Sequence, residues 1–185
     1  MTQTALIPVA NGSEDIEAVT LIDVLHRAGL AVTVASVATT REVVCANGTR
    51  LVADTLHAEI AHRSFDLIAL PGGMPGAEHL RDCPALIAQL RAQDVRGGVL
   101  GAICAAPGVV LGTHGLIGGR WATAYPGFEG MLPAGSFVDQ RVVRDGHLVT
   151  SRGPGTALEF ALALVEALGH ADLAAQLATG MLARR

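Results

Sequence analysis

Apolar and polar positions alternate along this chain in blocks that switch repeatedly between the two-residue period of a strand and the 3.6-residue period of a helix. Residues 4–10 (TALIPVA) form an apolar run that predicts a buried strand. Asn11-Gly12-Ser13 turns the chain, and residues 14–29 predict a helix with Glu14 and Asp15 at its positive end and Gly29 as its stop. Residues 31–38 (AVTVASVA) complete a strand–helix–strand unit. Between 42 and 53, Asn47-Gly48 marks a hairpin joining VVC to RLV, and residues 55–64 predict a short helix. A further strand at 65–70 (FDLIAL) runs into Pro71-Gly72-Gly73, and residues 79–93 read as helical, with Pro84 near a helix start. Val99, Leu100 and Ile103 predict another buried strand, followed by a helical segment ending around 112–115. Residues 119–124 (GRWATA) predict a strand stopped by Tyr125-Pro126-Gly127, and residues 141–151 a hairpin turning at Asp145-Gly146. Apolar helices follow at 155–168 and 171–182. This alternation predicts an α/β layered fold with a mostly parallel sheet, and nothing divides residues 1–185 into more than one domain.

One acid breaks the pattern. The apolar stripe of the first helix holds Leu21, Val24, Leu25 and Ala28, and counting back in helical steps lands on Glu17. Glu14 and Asp15 project elsewhere, toward solvent. A carboxylate on a buried stripe costs several kcal/mol, on the order of other buried polar groups, unless it is paired or protonated. Pairing with an arginine such as Arg27, or access to water from the first turn, is the structural alternative. A protonated Glu17 would instead donate a hydrogen bond to a nearby thiolate and lower that thiol's pKa.

The thiol is Cys104. In residues 97–108 (GGVLGAICAAPG) it lies between small residues at a strand-to-helix junction, the sequence form of a nucleophile elbow. The helix start that follows favours thiolate. A small buried hydrophobe is the other reading of the same cysteine. The loops at Asn11, at Pro71 and at Cys104 all follow strands, so they gather at the carboxyl edge of a parallel sheet, where ligands bind in such folds. The Pro71 loop lacks the spacing of a nucleotide-binding turn. It reads either as a plain tight turn or as the source of a Gly73 N–H that would join Ala105 N–H in an oxyanion hole. Tyr125 falls across the pocket, and most of the seven histidines read as surface residues. Cys45 and Cys83 read as structural or incidental.

Composition narrows the function. Half of the 185 residues are hydrophobic but only 3% are aromatic, so the core is aliphatic. A formal charge of −4, with no basic cluster before Arg184-Arg185, argues against a nucleic-acid or anionic-membrane surface. No stretch reads as a membrane span or secretory signal, and three scattered cysteines make neither a disulfide framework nor a zinc site. A reducing cytoplasm is the expected compartment.

The motifs SEDIEAV around Glu17, LPGGMPGA, AICAAPG and TSRGPGT, in that order across essentially the whole chain, resemble the ThiJ/PfpI family, and most closely its parkinsonism-associated deglycase branch. The resemblance implies a flavodoxin-like three-layer sandwich with helices on both faces, and a homodimer. It implies an easily oxidised Cys104 hydrogen-bonded to protonated Glu17, with Gly73 and Ala105 as the backbone hole and residues 151–156 as a structural turn. It further implies cofactor-free, metal-free chemistry on small aldehydes or glycated groups: glyoxalase or deglycase activity, with redox-regulated chaperoning as the alternative. Tyr125 stands where animal members carry a pocket histidine, and Asn47 where they carry an arginine near the thiol.

Overall fold

The computed structural model describes residues 2–183. Nine strands, β1 (Thr4–Val9), β2 (Ala31–Ser36), β3 (Glu42–Val44), β4 (Arg50–Val52), β5 (Thr55–Leu56), β6 (Leu67–Leu70), β7 (Val99–Ile103), β8 (Val142–Asp145) and β9 (Leu148–Ser151), are joined by six α-helices. These are α1 (Asp15–Arg27), α2 (His57–Ile60), α3 (Gly76–Arg81), α4 (Pro84–Val95), α5 (Ala157–Ala167) and α6 (Ala171–Gly180). Seven strands make one sheet in the order β5-β2-β1-β6-β7-β9-β8, parallel throughout except for the β8–β9 hairpin. β3 and β4 pair antiparallel as a separate ribbon.

The chain steps one way across the sheet from β1 to β2 and the other way from β6 to β7. Right-handed crossovers therefore put α1 and the α3–α4 pair on opposite faces. The order reverses beside β1, which opens a crevice at the carboxyl ends of β1 and β6. The core is aliphatic: β1, β6 and β7 are buried along nearly their whole length, and Phe160 is the largest side chain enclosed in it.

Four local expectations are corrected. The helix expected over 79–93 is two helices, because the chain breaks at Asp82-Cys83 and restarts with Pro84 in the first turn of α4. Thr55 and Leu56 extend the sheet beside β2 before α2 begins. Residues 119–124 form no strand. Trp121 N–H donates to Asp145 Oδ2 at 2.8 Å, Thr123 N–H to Thr150 Oγ1 at 2.9 Å and Ala122 N–H to the Ser136 carbonyl at 2.9 Å, so only a single bridge, Ala122 to Phe137, remains. The β8–β9 turn is Gly146-His147, one residue later than expected, with Gly146 at φ 62°. Among the described residues no helix is long and apolar enough to cross a membrane.

Candidate active site

Cys104 follows β7 directly and sits at φ 65°, a left-handed conformation rare for a residue with a side chain. The strain is held from both sides. Cys104 N–H donates to the Ser151 carbonyl at 3.0 Å, and its own carbonyl accepts from Tyr125 N–H at 2.9 Å. The chain then winds into a six-residue π-helical turn, Pro107–Gly112, rather than an ordinary helix. Only a glycine fits opposite the elbow. A Cβ on Gly72 would lie 2.6 Å from Cys104 Cβ and 3.0 Å from Ala105 N, and Gly73 sits at φ 85° against the start of α1.

Glu17 is fully buried, as its place on the apolar stripe predicts. Its Oε2 accepts the Gly72 N–H at 2.7 Å, so the loop after β6 clamps the carboxyl. Its Oε1 is buried with no hydrogen-bond partner of ordinary geometry, and the interacting group left to the carboxyl is the Cys104 thiol. The alternative partner, Arg27, is engaged by Asp23 at 2.8 Å. Burial pushes Glu17 up to about 7; the Gly72 hydrogen bond opposes this and the Glu14 charge adds to it.

The sulfur behaves differently from the sequence expectation of a lowered thiol. Burial first, and then the charge of ionised Glu17, push Cys104 up to about 12, against the pull of Gly73 and Ala105 N–H. Both backbone donors thus act on the sulfur itself in the free protein. The two side chains titrate as a coupled pair: removing the Glu17 charge removes the second-largest obstacle to thiolate and creates a donor facing it.

Two acids placed in solvent by the sequence reading are buried. Glu14 is 8% and Asp15 9% exposed, because the β3–β4 ribbon closes over the start of α1. Asp15 accepts Asn47 N–H at 2.8 Å and Thr49 N–H at 2.9 Å. Against burial, its bonds from Thr49 and Asn47 hold it down at about 2. Glu14 Oε2 caps α1 by accepting Glu17 N–H at 2.8 Å. Glutamate is not among the residues favoured at an N-cap, so the sequence carries no signal for this.

Tyr125 stands beside the elbow at 43% exposure. Its ring lies against Gly153, where a Cβ would come 2.9 Å from Cδ2, and edge-on to Phe128 at 6.5 Å. Residues 151–156 form the turn into α5, tied by Ser151 Oγ to Thr156 Oγ1 at 2.6 Å. Cys45 is buried in the ribbon, pushed up to about 11 by burial and by the Asp15 and Glu14 charges; Cys83 is half-buried before α4. Of the histidines, His57 is buried, bonded to Gln89 at 2.8 Å and remote from the site in its contacts. Among the described residues no three His, Cys, Asp or Glu side chains are grouped to hold a metal.

A mostly parallel sheet carrying a cysteine elbow against a buried glutamic acid is the arrangement of a thiol-centred α/β protein. The DJ-1/PfpI family profile matches residues 3–167, and the chain belongs to that family. It is 47% identical to Protein DJ-1 homolog A of Arabidopsis thaliana over 99% of this chain, spanning 47% of that relative's length. It is 41% identical to "Glutathione-independent glyoxalase DJR-1.2" of Caenorhabditis elegans, covering 84% of this chain and 83% of that one. Its fold superimposes on the structure described as "Toxoplasma gondii DJ-1, oxidized" with a TM-score of 0.97, 45% identity and full coverage of both chains.

Proposed function

We propose that this protein is a cysteine-dependent, cofactor-free glyoxalase acting on methylglyoxal, glyoxal or their early adducts. The observation that carries the reading is Glu17, a carboxyl buried with no cation beside it among the described residues, anchored through one oxygen and facing the strained Cys104 thiol with the other. The relative named a glutathione-independent glyoxalase supports the substrate class.

The Glu17 carboxylate takes the proton of the Cys104 thiol as the sulfur adds to the aldehyde carbon of methylglyoxal, and passes it to the new oxyanion while Gly73 and Ala105 N–H hold that oxygen. The Glu17 carboxylate then removes the hydrogen from the same carbon and delivers it to the neighbouring carbonyl carbon through an enediol. A lactoyl thioester results. Water cleaves its C–S bond, releasing lactate and the thiol; the sum is methylglyoxal plus water giving lactate. Tyr125 orients the substrate at the rim.

The test is lactate formation from methylglyoxal without glutathione. Cys104→Ser should abolish it, and wild-type turnover no faster than Cys104→Ser would refute the reading. A relative's structure described as oxidised supports a second role, in which Cys104 is oxidised by hydrogen peroxide to the sulfinic state and the protein acts as a stress sensor or chaperone. Suppression of aggregation that persists without turnover would favour it.

We also infer a homodimer, for which Ile16 and Val19 on α1, with Val44 and Val52 on the ribbon latched to it, offer an exposed apolar face. An Ile16→Asp variant should sediment as a monomer if that face pairs.

A further inference from the structure

Between Tyr125, bonded to the elbow, and β8 the chain is irregular apart from one 3₁₀ turn, Glu129–Met131. On its inner side this segment lies backbone to backbone on the π-helical turn after Cys104. A Cβ on Gly108 would come 2.9 Å from the Phe128 carbonyl oxygen, and one on Gly112 would collide with the Met131 carbonyl. The Tyr125 ring has two seats, Gly153 on the turn into α5 and Phe128 on the segment itself. One side chain joins those seats. Arg152 precedes Gly153 in the chain, and its guanidinium, on a side chain 21% exposed, stands 3.8 Å from Glu129, the neighbour of Phe128. It also pairs with Asp139 and lies over the Phe137 ring, 5.8 Å from its centre. Glu129 Oε2 in turn accepts the Gly127 N–H at 2.6 Å, within the turn that follows Tyr125.

We propose that Arg152 is a positioning residue that sets the width of the opening over Cys104, by holding the Tyr125 ring between Gly153 and Phe128, and so favours small aldehydes over bulky ones. Its backbone is fixed at the elbow: the carbonyl just before it, that of Ser151, accepts the Cys104 N–H at 3.0 Å, and Arg152 N–H donates to the Arg141 carbonyl at 3.3 Å. The side chain therefore draws the segment toward the thiol rather than following it. A planar guanidinium serves two carboxylates and a ring face at once, which a lysine ammonium does not. Asp139 is 79% exposed, so that pair adds little; the more enclosed contacts with Glu129 and Phe137 carry the grip. With Gly108 and Gly112 already in contact beneath it, a released segment moves outward and the opening widens. The choice among aldehydes rests on the reading of Cys104 as the nucleophile of an aldehyde-converting enzyme; the width of the opening does not.

The test compares two alkylating agents of one chemistry and different girth, iodoacetamide and its N-phenyl derivative. Both are followed on the Cys104 peptide by mass spectrometry at one pH, so that Cys45 and Cys83 do not contribute. In Arg152→Gln the ratio of bulky to small rate should rise about fivefold over wild type, the scale of one lost ion pair, with Arg152→Lys in between. Glu129→Gln keeps an oxygen for the Gly127 N–H and loses the pull of Arg152. It should raise the ratio about threefold on the same scale, and it decides the matter if Arg152→Gln fails to fold. The double variant should do no more than Arg152→Gln alone, because the two residues act through one contact. In lactate formation from methylglyoxal, Arg152→Gln should lose more in KM than in kcat. Ratios in folded variants that equal or fall below the wild-type value overturn the proposal, whatever KM does. Alkylation needs no turnover, so a wild-type protein that makes no lactate would refute the catalytic reading and leave the opening to be judged by these ratios alone.

Discussion

Two charged clusters lie at opposite ends of the parallel strands, and their acids are treated in opposite ways. At the amino end, beside the β8–β9 turn, Asp94 Oδ1 meets Arg120 at 2.7 Å and His147 at 2.7 Å, and Arg120 also donates to the carbonyls of Leu116 and Ile117. Partial burial works against the Asp94 charge, but Arg120 and then His147 outweigh it and hold Asp94 below its ordinary value. At the carboxyl end, Glu14, Asp15 and Glu17 are buried against amides, and Glu17 is pushed up. Where a charge only fastens loops to a helix, an opposite charge answers it. Where none answers it, stability is given up for a proton that can move.

Removing the unanswered acid should have the largest effect. Glu17→Gln keeps the shape and loses the exchangeable proton, so glyoxalase turnover should fall about 100-fold, the lower range for general acid–base catalysis. Stability should change the other way. Glu17 rises from 4.5 to about 7 on folding, so the native state binds more protons between those values and stability falls as pH rises through them. The loss is about 3 kcal/mol at one pKa unit per 1.4 kcal/mol. Thermal melts should therefore show Glu17→Gln gaining on wild type as pH rises from 5 to 8, and a constant gap would break the contrast between the clusters.

Next in size is Gly72→Ala. The added methyl would strike Cys104 Cβ at 2.6 Å and the Ile103 carbonyl at 2.9 Å, the first bonded directly to the backbone and the second part of it, so the loop must retreat. It would carry one N–H off Glu17 and another off the sulfur. Turnover should drop about tenfold and stability by about 1–3 kcal/mol, as overpacking does. Full activity would mean that the clamp on Glu17 is dispensable.

The parts of this site that depend on local pattern were legible from the residues alone. Glu17 announces itself by interrupting a helical stripe, and Cys104 by standing among small residues after a buried strand. The parts that depend on distant contact were not. Nothing near Glu14 or Asp15 says that a ribbon 30 residues later, by roughly the spacing to Asn47, will bury them; that is a long-range contact with no periodicity of its own. The direction at Cys104 was missed because a helix-end argument ignored burial. Only a short π-helical turn follows the elbow, and enclosure of the sulfur outweighs two N–H donors. Residues 119–124 alternate like a strand, yet their amides are taken by Asp145, Thr150 and Ser136 before a neighbouring strand can claim them.

The answered cluster supplies the converse prediction. Asp94→Asn should leave lactate formation unchanged and lower stability by about 1 kcal/mol, the scale of a partly exposed ion pair. Its pH slope is opposite to that of Glu17. A carboxylate held low contributes its stability above the unfolded value and loses it as pH falls through the folded one, so the gap between Asp94→Asn and wild type should close in acid.

Tyr125→Phe should have the smallest effect and is the sharpest check on what lies between the clusters. Tyr125 is tied to the elbow through its backbone N–H on the Cys104 carbonyl, and its ring rests on Gly153, so both attachments survive loss of the hydroxyl. If the phenol only orients substrate, KM should rise by up to about threefold, within the loss of one net hydrogen bond, while kcat holds. A fall in kcat of the size expected for Glu17→Gln would mean that the phenol moves a proton. The buried carboxyl would then share the work at the sulfur with a half-exposed neighbour, and the absence of a counter-charge around Glu17 would need another explanation.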